Sequence, residues 1–319
     1  MRFRDQDIAF ANGAIGRNLD VPSANPRNYH QAISRPAEMP KIAIDGKLFL
    51  PRGDGQAKRP AVILVPGSLG VAPSHLAHAE ALVDRGIAAF VLDSFGARNV
   101  TSTVANQTQF SFAASAFDVL AAWQVVAAVP EIDDRRIGAQ GHSRGGAAVM
   151  MAASRRLADA VLGRGRGLHS VLAAYPWCGH QFLDPSIGAT MLRVLIGDAD
   201  EWCSPMQAQG NVQAIRLAGG SVSMRIVKGA QHSFDRGTAI TNVPDAAVSP
   251  AAPTAYIADD GAFIHPLEDA ANPELVDRDL MVYGLKAGYG RKGAHIGSHA
   301  GEAELFREDM LAFWQRVLR

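Results

Sequence analysis

Short apolar runs, each closed by a turn and followed by a helix-length stretch, constrain this chain more than any other feature. Ala61–Val65, Ile87–Leu92, Arg136–Ala139, Val171–Tyr175, Leu192–Ile196 and Val222–Val227 read as strands. Helices are expected over Ser74–Arg85, Ser111–Val129, Arg144–Leu157, Gln207–Leu217 and Glu302–Leu318, with Gly86, Pro130 and Gly219-Gly220 as stop signals. Strands that are apolar on both faces belong in a covered sheet. Regular alternation with helices implies an α/β fold: a mostly parallel central sheet with helices on both faces.

Three further divisions follow from the text of the chain. Residues 1–40, with Pro22, Pro26, Pro36 and Pro40, read as an extended arm. Residues 41–319 form the α/β domain, starting with strand-like Ile42, Ile44, Leu48 and Leu50 about a turn at Asp45-Gly46. Residues 233–301 interrupt the alternation. This insertion either folds over the carboxyl edge of the sheet as a cap or wraps around the far side.

Charge and composition narrow the function classes. Lys+Arg and Asp+Glu are both 31, so no basic excess marks a nucleic-acid binder. No run of apolar residues is long enough to span a membrane. The first residues lack the apolar core of a signal peptide, so the cytoplasm is the expected location, an exported form with its signal removed being the alternative. Two cysteines, Cys178 and Cys203, make neither a disulfide scaffold nor a zinc ribbon. Both follow neighbouring strands, so their thiols are expected close together, and bonded if the protein is exported. His75 and His78 are read as a solvated helix face. His295 and His299 lie in glycine-rich text that does not support a ligand-bearing helix. No metal or organic cofactor is expected. Asp93 and Arg98 are expected to hold a loop, and Gly163–Gly167 is a flexible connection that lacks the Lys-Ser/Thr ending of a phosphate loop.

The chemistry-bearing signal is Gly141-His-Ser143-Arg-Gly145, a G-x-S-x-G match directly between an expected strand and an expected helix. A tight strand–turn–helix needs small neighbours and holds its serine in a strained backbone conformation. Serine is a poor nucleophile until a base takes its proton, and the base needs an orienting carboxylate. Two later strands end in Gly197-Asp-Ala-Asp-Glu201 and Lys228-Gly-Ala-Gln-His232, at the sheet edge where open α/β sheets carry their sites. Asp200 is the preferred acid because it leaves room for its loop to turn back. Asp198 is the runner-up and Glu201 a competitor. His232 is the base. For an oxyanion, the backbone N–H of Arg144 is one donor, and that of Ser68, in Pro66-Gly-Ser-Leu-Gly70, is the other, with Leu69 its alternative.

The chain resembles α/β-hydrolases of the dienelactone hydrolase type. The matching segments are Pro66-Gly-Ser68, Val91–Arg98, Ile132–Gly146, Ala174–Cys178, Gly197–Asp200 and Ala230–Phe234. The resemblance implies the α/β-hydrolase fold and a Ser143–Asp200–His232 triad. Two departures stand out: a serine replaces the cysteine nucleophile of the founding enzymes, and Pro66-Gly67 replaces the family's common His-Gly. Lactone cleavage is therefore not carried over. The expected activity is cleavage of a small-molecule carboxylic ester. Acyl transfer or amide hydrolysis by the same residues, and a non-catalytic binding protein on this scaffold, are the alternatives.

Overall fold

The computed structural model describes residues 2–53 and 57–319. In chain order the elements are β1 (Arg17–Ala24), α1 (Tyr29–Ser34), β2 (Lys41–Phe49), β3 (Arg59–Val65), α2 (Pro73–Val83), β4 (Ala88–Asp93), α3 (Phe112–Ala127), β5 (Ile132–His142), α4 (Arg144–Ala153), α5 (Arg155–Leu162) and β6 (Ser170–Ala174). There follow β7 (His180–Phe182), β8 (Met191–Gly197), α6 (Pro205–Leu217), β9 (Val222–Val227), β10 (Thr241–Val248), β11 (Ala255–Ile257), β12 (Phe263–Ile264), β13 (Ala271–Asn272), α7 (Asp277–Lys286), β14 (Arg291–Ile296) and α8 (Glu302–Val317).

The main sheet has eight strands in the order β1-β2-β4-β3-β5-β6-β8-β9. The six from β4 to β9 are parallel, and β1 and β2 add an antiparallel edge. This is the expected α/β-hydrolase arrangement. The central runs are sealed: Ala61 to Leu64 and Phe90 to Leu92 have no exposed surface. α4 lies at the heart of the molecule, with all ten of its residues buried. Its small side chains, Gly145 to Ala148, let it approach the sheet closely.

Three local expectations change. The expected arm does run extended, but Arg17–Ala24 pairs along the whole of β2, from Arg17↔Leu48 to Ala24↔Lys41. Pro22 is tolerated because β1 is an edge strand with one side free of the ladder. The expected turn at Asp45-Gly46 is straight β2. A Cβ on Gly46 would run into the Phe90 ring, so that glycine serves close packing rather than a turn. The expected single helix from Arg144 to Leu157 is two helices. Ser154 turns to an extended conformation, and Arg155 N–H donates to Ser186 O at 2.9 Å instead of continuing the helical ladder.

The insertion builds structure of its own. β10 and β14 form an antiparallel pair, and β11, β12 and β13 extend from β7 as a four-stranded sheet. The described residues contain no helix long and apolar enough to cross a membrane.

Candidate active site

Ser143 stands between β5 and α4 with φ +57°, a conformation L-residues rarely adopt. The sharp turn is forced by glycines. A Cβ on Gly141 would collide with the carbonyl of Gly145, and one on Gly145 with the carbonyl of Val65. Ser143 N–H donates to Ala174 O at 2.9 Å, which ties the turn to the next strand.

The three residues singled out by order along the chain meet in space. Ser143 Oγ lies 2.9 Å from His232 Nε2, and His232 Nδ1 lies 2.8 Å from Asp200 Oδ2. The other carboxylate oxygen of Asp200 accepts from Trp202 N–H at 2.8 Å and Cys203 N–H at 2.9 Å, so the acid is fixed from two sides. Asp198, the runner-up, is exposed and accepts from Gly229 N–H. Glu201 is engaged by the backbone and ring of His295. The His232 ring is stacked under Trp202, with centroids 5.1 Å apart and planes at 14°, and meets Tyr175 edge-on at 4.7 Å.

Ser68 is buried, and its loop touches the elbow: a Cβ on Gly67 would stand 3.1 Å from Ser143 Cβ. Ser68 Oγ donates to Gln107 Oε1, and Ser68 O accepts from Thr103 N–H at 2.8 Å. Arg144 opens α4, so its amide belongs to the first turn, where helix N–H groups have no partner in the helix.

The Arg144 side chain is a functional group that sequence reasoning missed. Its buried guanidinium donates to the carbonyls of Gln107, Phe110 and Ser111 and to Ser115 Oγ, and it lies over the rings of Phe110 and Phe112. Burial lowers its pKa to about 10. It fastens the loop before α3 against the elbow. Nearby, Arg98 pairs with Asp118, while Asp93 caps Phe95 and Gly96 N–H. These are the loop-holding contacts expected of Arg98 and Asp93.

His75 and His78 are not solvated: α2 turns both inward, where they pack beside His142. The reason is a polar niche beneath the elbow. Trp314 Nε1–H donates to Gln140 Oε1, so Gln140 Nε2 faces His78 Nδ1 at 3.3 Å and His142 Nε2 at 3.4 Å. Both ring nitrogens must then accept, and His78 carries its proton on Nε2, toward Asp235 Oδ2 at 3.7 Å. His78, His142 and Asp235 have the donor types of a metal site, and their ligand atoms lie within 4.8 Å of one another. The fixed amide of Gln140 nevertheless occupies the lone pair on His142 that an ion would need. The other Asp235 oxygen accepts from Tyr175 O–H at 2.6 Å, and Tyr175 has φ +37°. The buried network thus ends on the ring that backs His232. Burial pulls the pKa values of His75 and His142 well below the ordinary histidine range.

Cys178 and Cys203 are both buried free thiols, not a bridge. Burial raises the pKa of Cys178 to about 12, and burial together with the Asp200 carboxylate raises that of Cys203.

Space at Ser143 is tight. A void of about 20 Å³ lies between the Gly67–Gly70 loop, Tyr175, His232 and Ile296. Another of about 40 Å³ lies between Trp177, Cys203, Val248 and Met281. The insertion therefore supplies walls on both sides of the serine.

Comparison with known proteins agrees with this architecture. No curated protein matches the chain. The solved structure named m3DLH matches over 95% of this chain and 99% of its own, with 15% identity and a TM-score of 0.53. A dienelactone hydrolase-like promiscuous phosphotriesterase from metagenomic libraries matches over 70% of this chain and 85% of its own, with 17% identity and a TM-score of 0.49. The esterase Est2 of the planctomycete Thermogutta terrifontis, with propionate bound, matches over 66% and 86%, with 16% identity and a TM-score of 0.48. The model of the dienelactone hydrolase family matches residues 44–256, more than half of the sequence and the part that carries Ser143, Asp200 and His232, so the chain belongs to the dienelactone hydrolase family.

Proposed function

We propose that this protein is a serine hydrolase that cleaves carboxylic esters through an acyl-enzyme. The observation that carries the reading is the unbroken hydrogen-bonded line from Ser143 through His232 to Asp200. In the first step Ser143 Oγ attacks the acyl carbon as its proton passes to His232 Nε2. Asp200 holds the imidazole by Nδ1 and stabilises the imidazolium. The Ser68 and Arg144 amides receive the oxyanion. Collapse expels the alcohol, which takes the proton from His232. Water then attacks the acyl-enzyme by the same route, releasing the acid and restoring Ser143.

This chemistry draws only on side chains and backbone of the chain itself, and asks for no metal or organic cofactor. The insertion acts as a cap: Ile296, Val248 and Met281 bound the voids beside Ser143, which are too small for an acyl group until the cap shifts. A fluorophosphonate probe tests the assignment. Covalent labelling of Ser143, abolished by Ser143→Ala, is expected together with turnover of p-nitrophenyl esters. An unlabelled, folded protein that turns over no ester would overturn it.

A further inference from the structure

A cavity of about 740 Å³ lies on the insertion side of the elbow, bounded by the loop around Gln107, the region of β7, and parts of residues 247–292. It adjoins the small void at Ser143: Gln107, Trp177, Val248 and Met281 line both. Its volume is that of a site for an entire ligand of drug size. Leu280, Leu285 and Pro266 make much of the wall apolar.

The charges around it are segregated. Residues 241–296 carry eight carboxylates and four Lys or Arg side chains. Three of those four cations, Arg278, Arg291 and Lys292, line the cavity, and none of the eight carboxylates does. The segment as a whole is acidic, so its basic lining is a local feature and not a reflection of composition. Arg291 donates to the carbonyls of Gly293 and Glu201. Arg278 and Lys292 are exposed and have no ion-pair partner among the described residues.

We propose that this cavity binds the far end of the substrate, and that the substrate is an extended ester, apolar along its length and ending in an anion, either carboxylate or phosphate. The proposal rests on the ester-cleaving reading and names its substrate class. The reactive carbonyl sits at the narrow end beside Ser143, the chain runs past Trp177 and Met281, and the anion meets Arg278 and Lys292. Because these cations face solvent, their pull is screened by salt.

Calorimetric titration of the Ser143→Ala protein reads the site without turnover. The probes are monoethyl sebacate, its neutral partner diethyl sebacate, and monododecyl phosphate. At low ionic strength, the anionic probes are expected to bind about tenfold tighter than the neutral diester, a preference that shrinks as salt is added. The ratio between the two anions says which source fits. Adding Arg278→Glu with Lys292→Glu removes the preference, whereas Lys286→Glu, an exposed cation outside the cavity, preserves it. A melting curve for each variant reports its fold. Equal binding of monoester and diester overturns the proposal, and so does loss of the preference in Lys286→Glu, which would mark a diffuse field. Fluorophosphonate labelling of the wild-type protein is scored separately: failure there overturns the hydrolase reading and not the anion site.

Discussion

Gly297 donates its backbone N–H to the carbonyl of His232 at 2.9 Å, so the end of the insertion is bonded directly to the residue proposed as the base. Ile296 forms a parallel bridge to His232 at the same place, and Trp202, stacked on the His232 ring, donates its indole N–H to His295 O at 2.7 Å. The chain leaves the site at His232, builds the insertion and returns to brace the same histidine. The insertion and His232 are one mechanical unit.

Gly297→Ala tests that unit. Gly297 has φ +132°, and a Cβ there would stand 2.6 Å from Ala239 O. The substitution should cost about 1–3 kcal/mol, seen as a lower melting temperature. Turnover of p-nitrophenyl acetate should fall by more than the unfolded fraction explains. Unchanged kcat in a destabilised variant would show that the brace is structural only.

The buried Tyr175–Asp235 contact gives a second outcome. Tyr175→Phe keeps the ring against His232 but leaves Asp235 Oδ1 without its donor, while Oδ2 already has none within hydrogen-bond distance. An unsatisfied buried acceptor costs about 1–3 kcal/mol, more when charged. Tyr175→Phe should therefore melt earlier, and pairing it with Asp235→Asn should recover part of the loss. Chemical denaturation of the two single variants and the double variant measures the coupling; strict additivity would contradict it.

Asp277, at the start of α7, supplies a pH dependence of stability. It is buried, accepts from Phe112 N–H at 2.7 Å, and has its pKa raised to about 6, mainly by burial. An acid whose folded pKa exceeds its unfolded value holds more protons folded than unfolded between the two. Its contribution is therefore favourable at pH 4 and is lost as pH rises through about 6. A shift of this size corresponds to about 3 kcal/mol. Asp277→Asn keeps the oxygen acceptor without the charge. It should flatten the stability profile between pH 4 and 7 and gain most over the wild type above pH 6. Denaturation midpoints across that range check this, and parallel profiles for the two proteins would refute it.

Why the site was legible and the insertion was not follows from locality. Ser143, Asp200 and His232 each end a covered strand, and the signals for each strand and its turn lie within about ten residues. Loop reach favours Asp200 over Asp198 in the sequence; in the structure Trp202 and Cys203 N–H hold Asp200 inward while Asp198 faces solvent. By contrast, β7 and β11 are three-residue strands that pair across a long stretch of chain, and no local pattern announces such a pair. β1 hid because its polar outer face and Pro22 look like loop text. The Arg144 side chain hid behind the role of its backbone. His75 and His78 read as polar surface, because their burial depends on Gln140, His142 and Asp235 from other segments.

The proposed triad acts as a unit, so its members should not add. Ser143→Ala should abolish measurable ester turnover with the fold intact, and adding His232→Ala should cost little more. Steady-state assays on the single and double variants, with melting curves, test this. Independent, multiplicative losses would argue that His232 does not serve Ser143.

The most direct measurement is intact-protein and peptide mass spectrometry after exposure to a fluorophosphonate. One adduct per chain is expected, placed on Ser143, formed quickly by the wild type, much more slowly by His232→Ala and Asp200→Ala, and never by Ser143→Ala. An adduct on another residue, or a folded wild-type protein that stays unmodified, would contradict the assignment of Ser143 as nucleophile.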